Sequence, residues 1–208
     1  MDELSSNSSR RLDVRLLGDL ACPWTHLTLA TLVRALGSSI NLEWHPFLLR
    51  PKERVLPGSE AALMAARHAA ELDVPFATAS LTAPIDSRLT HGVVLAAETA
   101  KRVEIARRLF DAHFREARPL VEAEDVAAAL GEVADGKTVA ALIAAGTDAA
   151  QVVERADRAA RIAGVNAVPL TVIDGAYAIA GLQPEPAFAA LVELALTERR
   201  LSGEQHDR

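Results

Sequence analysis

The chain has 208 residues, half of them hydrophobic, and a formal net charge of -6 from 22 basic and 28 acidic residues. That is enough apolar material for one well-packed domain, or for a compact domain carrying a large insertion. The acidic balance argues against a general nucleic-acid binder, which needs a basic face to displace counterions from phosphates, and no uncharged apolar run is long enough to span a bilayer.

Met1 to Arg11 is polar and Ser-rich, without the apolar core of a signal peptide or an anchor, so residues 1–11 are expected to be a disordered leader. Asp13 to Leu17 reads as a first strand, with Gly18-Asp19 as the turn that follows it. Leu29, Leu32, Val33 and Leu36 then fall at i, i+3, i+4 and i+7 on one face of a helix, which Gly37 ends. Apolar and polar residues alternate from Ile40 to His45, the period of a half-buried strand. The opening is therefore βαβ.

From about Val55 to Ala163 the composition turns to Ala, Leu, Glu and Arg with helical periodicity. Pro57-Gly58, Pro75, Pro84, Pro119, Gly136 and Gly146 divide this block into five or six helices. Ala106, Leu109, Phe110 and His113 share one helical face. Ala149, Val152, Val153, Ala156, Ala160 and Ala163 make another, with Arg155, Arg158 and Arg161 opposite, and Gly164 is placed as a left-handed cap. Leu170 to Ile173 and Tyr177 to Ala180 flank Asp174-Gly175, a hairpin signal. Phe188, Leu191, Val192 and Ala195 mark a final amphipathic helix, beyond which residues 201–208 are expected to be a disordered tail.

Cys22 is the only cysteine. It excludes an intramolecular disulfide, which fits a reducing cytoplasm, and it stands between the first strand and the first helix. A sulfur at a helix N-terminus meets unpaired amides and a partial positive charge, so Cys22 is expected to react as a thiolate at neutral pH. Pro23 suits the first helical position. Thr25, in the first turn, either hydrogen-bonds the thiolate or caps a backbone amide. Asp19 either orients groups beneath the helix or simply forms the turn. His26 is the only basic ionisable group near Cys22 in sequence. His45, His68, His91 and His113 show no recognisable ligand spacing, so no metal is expected.

Asp19-Leu20-Ala21-Cys22-Pro23-Trp24-Thr25-His26 resembles the active-site turn of DsbA-type thioredoxin-fold proteins, in particular their FrnE-like branch. Trp44-His45-Pro46-Phe47-Leu48-Leu49-Arg50-Pro51, Leu109 to Phe114, Gly164 to Gly175 and Ala180 to Pro184 agree in order. The resemblance implies a thioredoxin fold (βαβ…ββα) interrupted by a large α-helical insertion. Residues 12–54 and 164–200 would form the thioredoxin-like domain and 55–163 the insertion, which would cover the active-site face. Trp24 would form an exposed aromatic rim. Val168-Pro169 would supply a cis X-Pro bond whose preceding residue faces the sulfur and pairs with substrate; a proline starting an edge strand is the other reading.

The family usually has Cys-Pro-Trp-Cys, and here Thr25 stands at the last position. A threonine cannot expel a mixed disulfide, so the chemistry would wait at Cys22 for an external thiol. The resemblance thus implies a cytoplasmic thiol-disulfide oxidoreductase acting on a disulfide or glutathionylated substrate, with glutathione as a co-substrate and no tightly bound cofactor. A glutathione-dependent isomerase or transferase acting on a small electrophile, similar to 2-hydroxychromene-2-carboxylate isomerase or kappa-class glutathione transferase, is the alternative. A redox-inactive binding module is a third. No nucleic acid or membrane partner is implied, and a homodimer is compatible with the family.

Overall fold

Strand β1 (Leu12–Gly18) turns Leu12, Val14 and Leu16 into the core and leaves Asp13 and Arg15 exposed, as its alternating sequence requires. In the computed structural model, which describes residues 11–206, β1 is central to a four-stranded sheet of order β2-β1-β3-β4. Strand β2 (Ile40–Pro46) lies parallel to β1, with Leu12 opposite Ile40 and Leu16 opposite Trp44. A parallel pair needs a crossover, and helix α1 (Pro23–Leu36) provides it. Strands β3 (Leu170–Ile173) and β4 (Tyr177–Ala180) follow antiparallel to β1 and to each other. Their connection is tight because Asp174 and Gly175 both take positive φ, 52° and 69°, and the Ala176 amide donates to the Ile173 carbonyl at 3.1 Å.

Six α-helices fill the insertion: α2 (Glu60–Glu71), α3 (Ser87–Ala96), α4 (Arg102–Phe110), α5 (Ala123–Leu130), α6 (Gly136–Asp148) and α7 (Ala150–Ile162). Helix α4 runs on into a wider π-helical turn, Asp111–Arg115, which buries His113 and Phe114. Phe110 and Phe114 stack on each other, and Phe110 meets Trp44 of β2 edge-on at 5.8 Å. One hydrophobic core therefore runs from the sheet through α1 into the insertion. With neighbours on most sides, α1 buries far more than its predicted stripe, including Thr25, His26, Thr28 and Thr31.

Three expectations are corrected. Gly146 does not break a helix; it lies inside α6, where α3 crosses. A Cβ on Gly92 would meet the Gly146 carbonyl oxygen at 2.1 Å, so close helix packing, not a turn, accounts for both glycines. The Ala-rich face of α7 buries only Val153 fully, and Val152 is 45% exposed. Arg161, predicted to point away with Arg155 and Arg158, instead lies over the Phe47 ring at 4.3 Å and donates to the Leu48 carbonyl at 2.6 Å. Finally, helix α8 (Glu185–His206) continues through most of the predicted tail; its face of Phe188, Val192 and Ala195 is buried as expected. The predicted leader, apart from Arg11, and the last two residues lie outside the described residues.

Candidate active site

Cys22 is the N-cap of α1, with extended backbone (φ -99°, ψ 113°), and its carbonyl accepts from the Thr25 and His26 amides at 3.1 Å each. Pro23 opens the helix, where its missing N–H leaves nothing unpaired. The Cys22 amide donates back to the Asp19 carbonyl at 3.0 Å, closing the turn that carries the chain from strand to helix. Across from it, the Val168-Pro169 bond is cis, and the Cys22 Sγ–H points at the Val168 carbonyl, 3.9 Å away. Residues 146 positions apart in sequence thus meet at the sulfur.

The electrostatics differ from the sequence expectation. Cys22 is only 2% exposed. Burial pushes its thiol up to about 11, against the smaller opposing pull of the Thr25 hydroxyl and of the Thr25 and Trp24 amides, while the Asp19 carboxylate pushes it up further. The helix terminus is present, but around the buried sulfur desolvation outweighs it, and the thiol form is favoured. Thr25 is fully buried, and its Oγ1, near enough to favour the thiolate, makes no hydrogen bond of good geometry. Its methyl packs on β1, where a Cβ on Gly18 would meet Thr25 Cγ2 at 2.1 Å.

A cleft of about 560 Å³ opens at the sulfur, lined by Cys22, Trp24, Leu49, Arg54, Leu56 and Val168 among others. Trp24 is half-buried rather than a free rim, its ring edge-on to His68 of α2 at 5.9 Å. Beyond Trp24 a second depression of about 580 Å³ brings Met64 and His68 up to Pro169 and Leu182. The start of the insertion, from Val55 through α2, therefore stands over the active-site face, while α4 and α7 pack against β2 instead.

Sequence reasoning missed the floor beneath this turn. Asp19 is fully buried: its Oδ1 accepts from the Ala21 amide (2.8 Å) and the Ser87 hydroxyl (2.7 Å), and its Oδ2 from the Leu49 amide (2.5 Å). Both readings of Asp19 hold at once, since the same carboxylate shapes the turn and ties in α3 and the loop after β2. His91 of α3 stacks on Trp44 and accepts from its indole N–H at 3.2 Å, leaving Nε2 3.9 Å from Asp19 Oδ1. Arg54 reaches Ser87 from the other side, its Nη2 donating at 3.3 Å. No local motif announces Ser87, His91 or Arg54, which come from segments far from Cys22. His26 turns away from the sulfur to stack on Phe114 at 5.3 Å; burial holds its pKa down to about 4, so it is neutral. Among the described residues no group of three or more His, Cys, Asp or Glu could hold a metal, and no helix is long and apolar enough to cross a membrane.

Residues 14–193 match the model of a family described as DSBA-like thioredoxin domain. Among solved structures, the probable DsbA oxidoreductase SCO1869 from Streptomyces coelicolor superposes with a TM-score of 0.71 at 22% identity, covering 90% of this chain and 91% of that one. The cytosolic disulfide reductase DsbM from Pseudomonas aeruginosa, solved with GSH, gives 0.69 at 18% identity, covering 89% and 100%. A 2-hydroxychromene-2-carboxylate isomerase gives 0.60 at 17% identity over 94% and 98%. At these identities the likenesses show a shared fold. Comparison with the sequences of curated proteins finds no match.

Proposed function

The chain belongs to the DSBA-like thioredoxin family, and from that premise we propose that it is a one-thiol disulfide reductase in which Cys22 is the nucleophile and an external thiol, glutathione, is the resolving partner. The observation that carries this reading is the pairing of the Cys22 sulfur with the Val168 carbonyl at the floor of an open cleft. An extended disulfide laid along Val168 would present a sulfur to Cys22 as a strand adds to a sheet edge. The relative solved with GSH supports glutathione as the small thiol.

Cys22 first gives up its proton. The thiolate attacks one sulfur of the substrate disulfide, the S–S bond breaks, and the second sulfur leaves as a thiolate. A glutathione thiolate then attacks the mixed disulfide and takes the bound group, returning Cys22. Thr25 has no thiol to short-circuit the second step. Since the resting thiol is largely protonated at neutral pH, the first step draws on a small thiolate fraction, and Thr25 and the first-turn amides are the groups that enlarge it. Cytoplasmic action follows from the same chemistry, because reduced glutathione must be plentiful.

The high thiol pKa favours a second reading. A buried, protonated Cys22 could hold the thiolate of glutathione itself by hydrogen bonding and direct it at a small electrophile, as in an isomerase or transferase. Exposure to glutathione disulfide followed by intact-mass measurement separates the two. Addition of one glutathionyl group at Cys22, removed by excess glutathione, is expected for the reductase. Glutathione binding without any adduct would overturn it in favour of the second reading.

A further inference from the structure

The Cys22 cleft does not end at the sulfur. It shares Leu49 and Arg54 with a larger pocket, about 930 Å³, formed between the loop after β2, the start of α3 and the outer face of α7. Five arginines line this pocket. Two are neutralised: Arg88 pairs with Glu154 at 2.9 Å, and Arg161 with Asp157 at 3.2 Å. Arg50, Arg54 and Arg158 form no ion pair among the described residues. The remaining lining acid, Asp86, caps α3 by accepting from the Arg88 and Leu89 amides. Glu53, which lines the cleft itself, accepts from the Arg50 amide at 2.8 Å and lies 3.5 Å from Arg161. Within the lining of this pocket five arginines face three acids, in a chain whose net charge is -6.

Arg54 stands at the junction. It is half-buried, its Nε is enclosed without an acceptor, and its one hydrogen bond goes to a neutral hydroxyl, Ser87. A partly desolvated guanidinium linked to the Asp19 carboxylate only through the Ser87 hydroxyl is under-satisfied, and a planar carboxylate that accepts two of its N–H groups would relieve that cost.

We propose that Arg54, backed by Arg158, is an anion-recognition site that selects small thiols and disulfides bearing a carboxylate. The inference rests on Cys22 being the reacting group and adds what it reacts with. The concave shape and the cleft volume suit a small molecule rather than a protein surface. The carboxylate would sit at the Arg54 junction while the sulfur reaches Cys22 past Val168.

The test compares rates of mixed-disulfide formation at Cys22 with three probes: dianionic 5,5′-dithiobis(2-nitrobenzoate), neutral 2,2′-dithiodipyridine and cationic cystamine. Each rate is normalised to that of a free small thiol. The parent should favour the dianion, and high salt should erode the preference. Arg54→Gln should lower the dianion-to-neutral ratio about tenfold, Arg54→Lys should restore part of it, and Arg158→Gln should cost about threefold. The neutral-probe rate in each variant controls for folding. A parent without charge preference, or an Arg54→Gln variant with an unchanged ratio, overturns the proposal. Binding of unreactive S-methylglutathione against its dimethyl ester, by calorimetry, decides the same question without the thiol. If Cys22 reacts with no probe, the reductase reading fails, but weaker binding of the ester, and loss of the difference in Arg54→Gln, would still uphold the anion site; equal binding would end it.

Discussion

Asp19 and Cys22 stand three residues apart on one turn, both buried, and the protein treats them in opposite ways. Asp19 is surrounded by donors: two amides and a hydroxyl complete its two oxygens. Cys22 has one long contact, to the Val168 carbonyl, and the Thr25 hydroxyl and the Thr25 and Trp24 amides near its sulfur only partly offset its burial. A carboxylate in the interior must have its oxygens satisfied by protein groups. A thiol is tolerated there because it can stay neutral, and its price is the raised pKa. The turn therefore combines a fully satisfied anchor with a buried thiol that has few partners.

The largest effect should come from Cys22→Ser, which should abolish disulfide exchange completely and leave the unfolding midpoint in urea nearly unchanged. Residual exchange activity would place the chemistry elsewhere. Asp19→Ala breaks the other side of the comparison. It strands the Ser87 hydroxyl and the Ala21 and Leu49 amides without an acceptor, and should cost about 3 kcal/mol or more in urea unfolding. Asp19→Asn, which retains an acceptor oxygen, should cost less than half of that. If Asp19→Ala unfolds like the parent, the anchor argument is wrong.

Thr25→Cys would equip the reactive side with a resolving thiol. Cysteine is smaller than threonine and drops the methyl that presses on Gly18, so it should fit the buried position. The variant should form a Cys22 disulfide and reduce insulin-like disulfides with dithiothreitol clearly faster than the parent. A disulfide without a gain in rate would indicate a groove built for glutathione and an electrophile.

Alkylation of Cys22 in the parent should rise through neutral pH, reach its midpoint at about 11 and level off only above that. The folded pKa lies above the unfolded value, so the buried thiol contributes stability that is fully present below the unfolded pKa and is lost as pH rises through about 11. Cys22→Ser should lose less stability over that alkaline window. A plateau near neutral pH would show that the sulfur does not react from its buried position. The smallest effect is expected for Thr25→Val, which removes the hydroxyl that favours the thiolate; alkylation at pH 8 should slow by on the order of threefold.

Much of this was legible in the chain itself. The alternation in β1, the Asp174-Gly175 turn and the Gly164 cap are local signals, set by side-chain period and by backbone angles; Gly164 takes φ 91°, with the Val165 amide reaching back to the Ala160 carbonyl. The Cys22-Pro23 helix start is equally local, and the family resemblance brought Val168 to it. Gly146 misled because a glycine that breaks a helix and one that lets two helices touch look alike in sequence. The amides around Cys22 were visible in advance, but the sulfur's state was not, because desolvation depends on the segments packed over it from Leu49, Val55 and Asn166. Only the tertiary structure could assemble Asp19, Ser87 and Arg54, or leave Arg54 without a direct ion pair among the described residues. Electrostatics at a site are decided by what the fold brings near and what water it excludes, and neither is written in sequence spacing.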